Sequence, residues 1–218
     1  MKRTWTILIQ ISMITLLLFP SLISAQELIP IQLPEPQMKG GMPLMEALSK
    51  RKTSRDFSDK ELPLQVLSNI LWAANGINRP ESGRRTAPTA VNWQEIDVYI
   101  ALAEGLYLYD AKMNVLQPVL AGDIRAVTGR QNFVKDAPVN LIFVSDYSRM
   151  GKAGEEMKDF YSATDTGFIS QNVYLYCASE GLATVVRGAI ERPAMREVMP
   201  LREDQRIMLA QSIGYPRE

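Results

Sequence analysis

Apolar residues follow two rhythms along the chain. Between 43 and 50, Leu44, Ala47 and Leu48 share a face at helical spacing, and Pro43 suits the first turn. A second helix opens at Pro63, with Val66, Leu67, Ile70, Leu71 and Ala74 in phase and Gly76 as its stop. Residues 96–102 and 105–109 instead carry the alternation and the β-branched and aromatic residues of strands, followed by turn residues at 110–114. The run 139–144 is almost continuously apolar, as in a central strand. Residues 161–180 form the longest helical candidate. Phe168, Ile169, Val173, Tyr176 and Cys177 cover much of its circumference, which predicts a core helix ended by Gly181. Short strands at 183–186 and 208–213, with a helix near 193–198 between them, complete the pattern. Helices and strands mix without strict alternation, so the expected class is α+β.

The two ends of the sequence read differently. Lys2 and Arg3 precede the short apolar run 7–19, and Ser24-Ala25 supplies small residues before the chain turns polar at Gln26. This order is that of a secretory signal, cleaved after Ala25, on an exported product expected in the periplasm without stable membrane association; an uncleaved anchor is the alternative. Residues 26–41, with Pro30, Pro34, Pro36 and Gly40-Gly41, read as an extended leader arm without a fold of its own, leaving 42–218 as one domain.

Composition narrows the chemistry. The whole chain has 24 basic and 24 acidic residues, and loss of Lys2 and Arg3 with the signal leaves a net charge of about −2, so no nucleic-acid surface is implied. There is one cysteine, Cys177, in an apolar stretch, and no histidine. An internal disulfide, a thiolate metal cluster and the usual Ser-His and Cys-His nucleophile systems are thereby excluded.

Three segments could carry chemistry. Arg51-Lys52-Thr53-Ser54-Arg55 concentrates three cations and two hydroxyls, suited to a phosphate or to a solvated loop. Arg85-Thr86-Ala87-Pro88-Thr89-Ala90-Val91-Asn92 combines small residues, which let backbone approach a flat ligand, with an amide at Asn92 that can donate and accept. Residues 180–189 pass from a helix stop into a strand ending in Arg187-Gly188, which suits either a ligand contact or a plain helix-to-strand link.

In order and spacing, these segments resemble the nitroreductase superfamily, most closely its branch related to the thiazole- and oxazole-forming dehydrogenases. Arg51 through Phe57 resembles that family's Arg-Arg-Ser-x-Arg-x-Phe, and Leu71-Trp72-Ala73-Ala74-Asn75-Gly76-Ile77 its Leu-Trp-Ala-Ala-x-Gly-Ile helix end. Arg85-Thr86-Ala87-Pro88-Thr89-Ala90 resembles its Arg-x-x-Pro-Ser-Ala loop, Asp165 with Gln171-Asn172 and Gly181-Leu182 its central helix, and Gly214-Tyr215-Pro216 its closing motif. The resemblance implies a nitroreductase-like fold, with a central, mostly antiparallel sheet flanked by helices, and a homodimer with FMN at its interface. It places Arg51 and Arg55 at the phosphate, with Lys52 and Thr53 there or at the polar edge of the ring. Pro88, Thr89, Ala90 and Asn92 would come from the other subunit, with 181–188, including Gly188, beside the isoalloxazine.

Hydride from NAD(P)H would enter the flavin and leave to a small nitroaromatic or quinone-like acceptor, or the flavin would oxidise a small substrate. Reduced nicotinamide is scarce outside the cytoplasm, so another electron donor is an open alternative, as is a non-catalytic flavin- or small-ligand-binding protein of the same fold. Two departures stand out. Val91-Asn92-Trp93-Gln94 replaces a glycine and a Tyr-Pro pair, and the sequence closes at Glu218 without a basic tail. Arg187, at a position that is usually apolar, is the residue expected to compensate at the phosphate.

Overall fold

The computed structural model describes residues 27–217, so the expected export signal lies outside the described residues. In chain order the elements are β1 (Ile31–Gln32), α1 (Leu44–Lys50), α2 (Leu64–Asn75), β2 (Ile77–Arg79), β3 (Arg84–Arg85), β4 (Ile96–Ala101), β5 (Gly105–Asp110), β6 (Val115–Ala121), β7 (Val139–Asp146), α3 (Glu155–Ser179), β8 (Ala183–Arg187), α4 (Arg192–Val198) and β9 (Gln205–Gly214). Seven strands form one sheet in the order β1-β6-β5-β4-β7-β9-β8, antiparallel at every pairing, and β2 and β3 make a separate hairpin. The expected nitroreductase-like α+β architecture is the one found.

Both faces of the sheet are covered, which explains the unbroken apolar run at 139–144. Val139, Leu141 and Phe143 of β7 join Ile96, Val98 and Ile100 of β4 beneath α2 and α3. Their neighbours Ile142, Val144, Tyr99 and Ala101 meet Met195 of α4, Ile190 and Ile124 on the opposite face. Period-two alternation thus serves two cores at once, and β7 is buried at every position.

The segment read as a leader arm is stitched to the domain. Ile31 and Gln32 pair with Leu116 and Val115, and Leu33 is buried in the main core. The Asn114 side chain donates to the Pro34 carbonyl at 2.8 Å, and the Gln37 amide donates to the Asn69 side chain at 2.9 Å. Strand β6 had no clear sequence signal because Pro118 sits inside it. The proline is opposite Tyr107, at a register irregularity and beyond the stretch covered by β1, where no ladder donor is needed.

Helix α3 begins at Glu155, ahead of the expected 161. Glu155 and Glu156 occupy its first turn, where carboxylates favour the helix N-terminus. Its buried stripe includes the polar residues Ser162, Asp165, Thr166 and Ser170 beside Ile169, Val173, Tyr174 and Cys177. Phe168, expected in the core, is exposed instead, as are Met157 and Phe160. Leu44, Met45 and Leu48 of α1, which packs against α3, are exposed too.

Candidate functional site

The cationic segment follows α1 directly and runs along the outer edge of β8, where the Ser54 amide donates to the Thr184 carbonyl at 2.9 Å. Phe57 fixes its far end: its backbone bridges to Pro216, and its buried ring packs on Phe133. Gly214 makes this possible, because a Cβ there would sit 2.7 Å from the Pro138 ring and 3.2 Å from Phe57. Lys52, Thr53 and Arg55 are left exposed. Among the described residues, none of Arg51, Lys52 and Arg55 has a carboxylate partner. Three unpaired cations with free donors on one short edge form an anion-binding surface.

Tyr174 organises this edge and was not singled out by the sequence. Its hydroxyl accepts the Val186 amide at 3.0 Å and shares a hydrogen bond with Thr53 Oγ1 at 3.1 Å. The Arg51 guanidinium lies 5.4 Å from its ring centroid, within cation–π range. The one available signal was a hydroxyl within the apolar stripe 173–178. Two residues beyond Val186, Gly188 is exposed at the end of β8.

Arg187 does not join the cluster. Its side chain leaves β8 on the other face and is 4% exposed. It donates to the Thr128 carbonyl at 2.7 Å and to Asn140 Oδ1 at 2.9 Å, and it lies against Gly129, where a Cβ could not fit. Burial lowers it to about 10. The compensating phosphate role expected for Arg187 is therefore corrected: its donors serve the interior.

The second expected segment forms a tight loop between β3 and β4. Pro88, Val91 and Asn92 are exposed, Val91 at 82%, while Thr89 and Ala90 are half-buried. Val91, Asn92 and Gln94 all have left-handed backbone, with φ of 52°, 60° and 50°. For a β-branched residue such as Val91 this conformation is an outlier, and each such residue costs about 1–3 kcal/mol.

The loop is held from below. Thr89 Oγ1 donates to Glu95 Oε2 at 3.1 Å, the Ala90 amide donates to Asp165 Oδ2 at 2.9 Å, and the Gln94 amide donates back to Thr89 Oγ1 at 3.0 Å. Trp93 packs edge-on against Tyr161, with ring centroids 5.7 Å apart. Arg85 donates to Gln94 Oε1 at 2.8 Å and to the Asn75 carbonyl at 2.7 Å. Burial lowers its pKa. Burial, with Asp165 alongside, pushes Glu95 up to about 7. Glu95 was not anticipated, because nothing around a lone glutamate ahead of a strand marks it as buried.

The structure brings Arg51, Thr53 and the β8 strand together through Tyr174, and it keeps the 88–94 loop apart from them. Tyr174 and Asp165, which anchor the two halves, are nine residues apart on α3, or about 14 Å at 1.5 Å per residue. A cavity of about 680 Å³ bordered by Phe57, Leu67, Glu104, Arg125 and Arg217 contains none of the expected site residues. Its mixed lining does not mark it as the reactive centre.

A sheet covered on both faces, with an edge of unpaired cations and an exposed glycine at one rim, makes this an α+β protein of the nitroreductase type. The nitroreductase family model matches residues 48–215, and the chain belongs to the nitroreductase family. A solved nitroreductase-like protein of Ralstonia eutropha JMP134 is 45% identical with a TM-score of 0.83, covering 87% of this chain and 90% of that one. A nitroreductase-like protein of Methanocaldococcus jannaschii is 30% identical over 183 residues, 79% of this chain and 90% of its own length. A family structure from Desulfovibrio desulfuricans in complex with FMN shares the fold at 20% identity and a TM-score of 0.59, covering 82% of this chain and 89% of its own.

Proposed function

We propose that this protein is an FMN-dependent oxidoreductase that works as a homodimer. The observation that carries the reading is the edge of three unpaired cations, Arg51, Lys52 and Arg55, beside the Thr53–Tyr174 hydroxyl pair. These residues fit the phosphate of FMN: they supply charge-assisted donors, and no carboxylate competes for them among the described residues. When bound, the flavin supplies the two-electron chemistry, taking hydride from a donor such as NAD(P)H and passing it to a nitroaromatic or quinone-like acceptor, or oxidising a small substrate.

This chain's residues do the rest. Arg51 and Arg55 hold the phosphate, and Lys52 and Thr53 sit there or at the polar edge of the ring. Gly188 lets backbone approach the flavin without a side chain in the way. Pro88, Thr89, Ala90 and Asn92 of the partner subunit cover it. The separation of the two halves along α3 supports a site completed by two chains, as do the exposed Leu44, Met45 and Phe168 on adjoining helices.

We also infer export to the periplasm, from the charge, apolar run and Ser24-Ala25 at the start of the sequence. The test of function is an absorbance spectrum of the purified protein, with the released cofactor identified by mass. FMN near one per subunit, reduced and then reoxidised rapidly by an acceptor, supports the enzyme. A colourless protein that takes up no added FMN overturns it.

A further inference from the structure

We propose that Glu95 and Asp165 are a positioning pair that holds the 88–94 loop closed through one shared proton, and that losing this proton frees the loop. The inference rests on the flavin reading only for what the loop lines; the clamp itself is defined by this chain's own side chains.

Glu95 is 0% exposed and Asp165 2%, and they take hold of consecutive residues, Thr89 through its hydroxyl and Ala90 through its amide. The two carboxyls border the same small cavity, and Glu95 Oε1 is buried with no partner among the described residues. Two ionised carboxylates in such a space repel, and neither can donate to the other. One proton resolves both difficulties. It gives Glu95 Oε1 a role, leaves the pair with a single negative charge, and turns repulsion into a hydrogen bond.

Among the described residues, no cation takes over this task. Arg85 from β3 borders the same small cavity, but its guanidinium is directed to Asn75 and Gln94. Arg149 reaches Asp97 and Asp146 instead. From β7, Asp146 meets Glu95 only through the backbone, its amide donating to the Glu95 carbonyl at 2.8 Å, while its carboxylate is held by Ser148 and Arg202. Asn75 from α2 and Ile169 from α3 add neutral walls. The loop above needs such a hold, because Val91, Asn92 and Gln94 are strained and relax once their anchors go. When pH rises, the proton passes to solvent, the pair becomes doubly charged, and its repulsion drives the two carboxylates apart, pulling the Thr89 and Ala90 anchors of the loop out of place.

Trp93 lies in the loop and reports on it directly. In a Trp5→Phe, Trp72→Phe background it is the one tryptophan left of three, so its fluorescence can be followed from pH 5 to 9, with circular dichroism checking that the fold persists. The expected result is a one-proton transition centred near pH 7, absent in Glu95→Gln, whose amide can donate to Asp165 at every pH. FMN affinity measured by flavin titration should weaken with the same midpoint, by at most about tenfold per pH unit above it, the limit for one linked proton. In Glu95→Gln it should be flat. If Glu95→Gln does not fold, Asp165→Asn serves the same test. A parent with no transition, or a folded Glu95→Gln or Asp165→Asn that titrates as the parent does, overturns the clamp. A transition with no FMN binding at any pH supports the clamp and overturns the flavin reading.

Discussion

The hydroxyl of Tyr174 holds the backbone amide of Val186 at 3.0 Å, so a helix side chain closes part of the open edge of the last strand. That amide faces outward from β8, with no neighbouring strand to receive it. The same hydroxyl reaches Thr53, so one atom joins the cationic segment to the strand that leads into Gly188.

Tyr174→Phe therefore keeps the ring and removes the joint. It leaves an amide donor without a partner, a loss of about 1–3 kcal/mol. Urea denaturation should show lowered stability, and flavin titration should show weakened FMN binding. Unchanged flavin affinity would confine Tyr174 to a purely structural role.

Arg55→Ala should behave in the opposite way. The side chain is exposed and unpaired, so stability should hardly move, while loss of one charge-assisted bond to phosphate weakens binding by about 1.5–3 kcal/mol, or roughly ten- to 150-fold. FMN content after purification reads this directly, and full occupancy would remove Arg55 from the phosphate.

Arg187→Ala should destabilise the fold by several kcal/mol, because it opens a cavity and strips Thr128 and Asn140 of their donor. Whatever protein remains folded should still bind FMN. A stable variant that had lost flavin would return Arg187 to the phosphate site.

Stability should also depend on pH through Glu95. Its folded pKa is raised from 4.5 to about 7, so between these values the folded state keeps a proton that the unfolded state has released. The stabilising contribution is full below the lower value, is lost as pH climbs through about 7, and then levels off. Urea midpoints measured across this range should fall with pH in the parent and change less in Glu95→Gln.

Phe168→Glu tests the dimer. The ring is 44% exposed on α3, the helix on which α1 packs, and a buried, unpaired carboxylate there would oppose association. Light scattering should give dimers for the parent and monomers with little flavin for the variant. A monomeric parent holding FMN tightly would contradict the two-chain site.

The legible parts of this molecule were those in which one physical signal dominated. The apolar run in β7, the helical period of α2 and the cationic stretch 51–55 each announced their place. Strand β6 was hidden because Pro118 violates strand chemistry except at the bulged, uncovered position it occupies. The attachment of the arm was hidden because its anchors, Ser68, Asn69 and Asn114, are polar groups far away in sequence. Exposure of Phe168 could not be read either: an apolar helix face turned to a core and one left exposed look alike in sequence. Arg187 and Glu95 illustrate the same gap, since burial of a charge is decided by tertiary neighbours such as Gly129 and Asp165.

The stitched arm has one more effect. Its two paired residues lie between Pro30 and Pro34, which have no amide hydrogen to offer, so the arm caps β6 and cannot itself extend the sheet. At the opposite margin, Ser54 and Tyr174 occupy the backbone groups of β8. With both flanks blocked, growth by strand addition has little to build on, which leaves the proposed pairing of two copies to the helices.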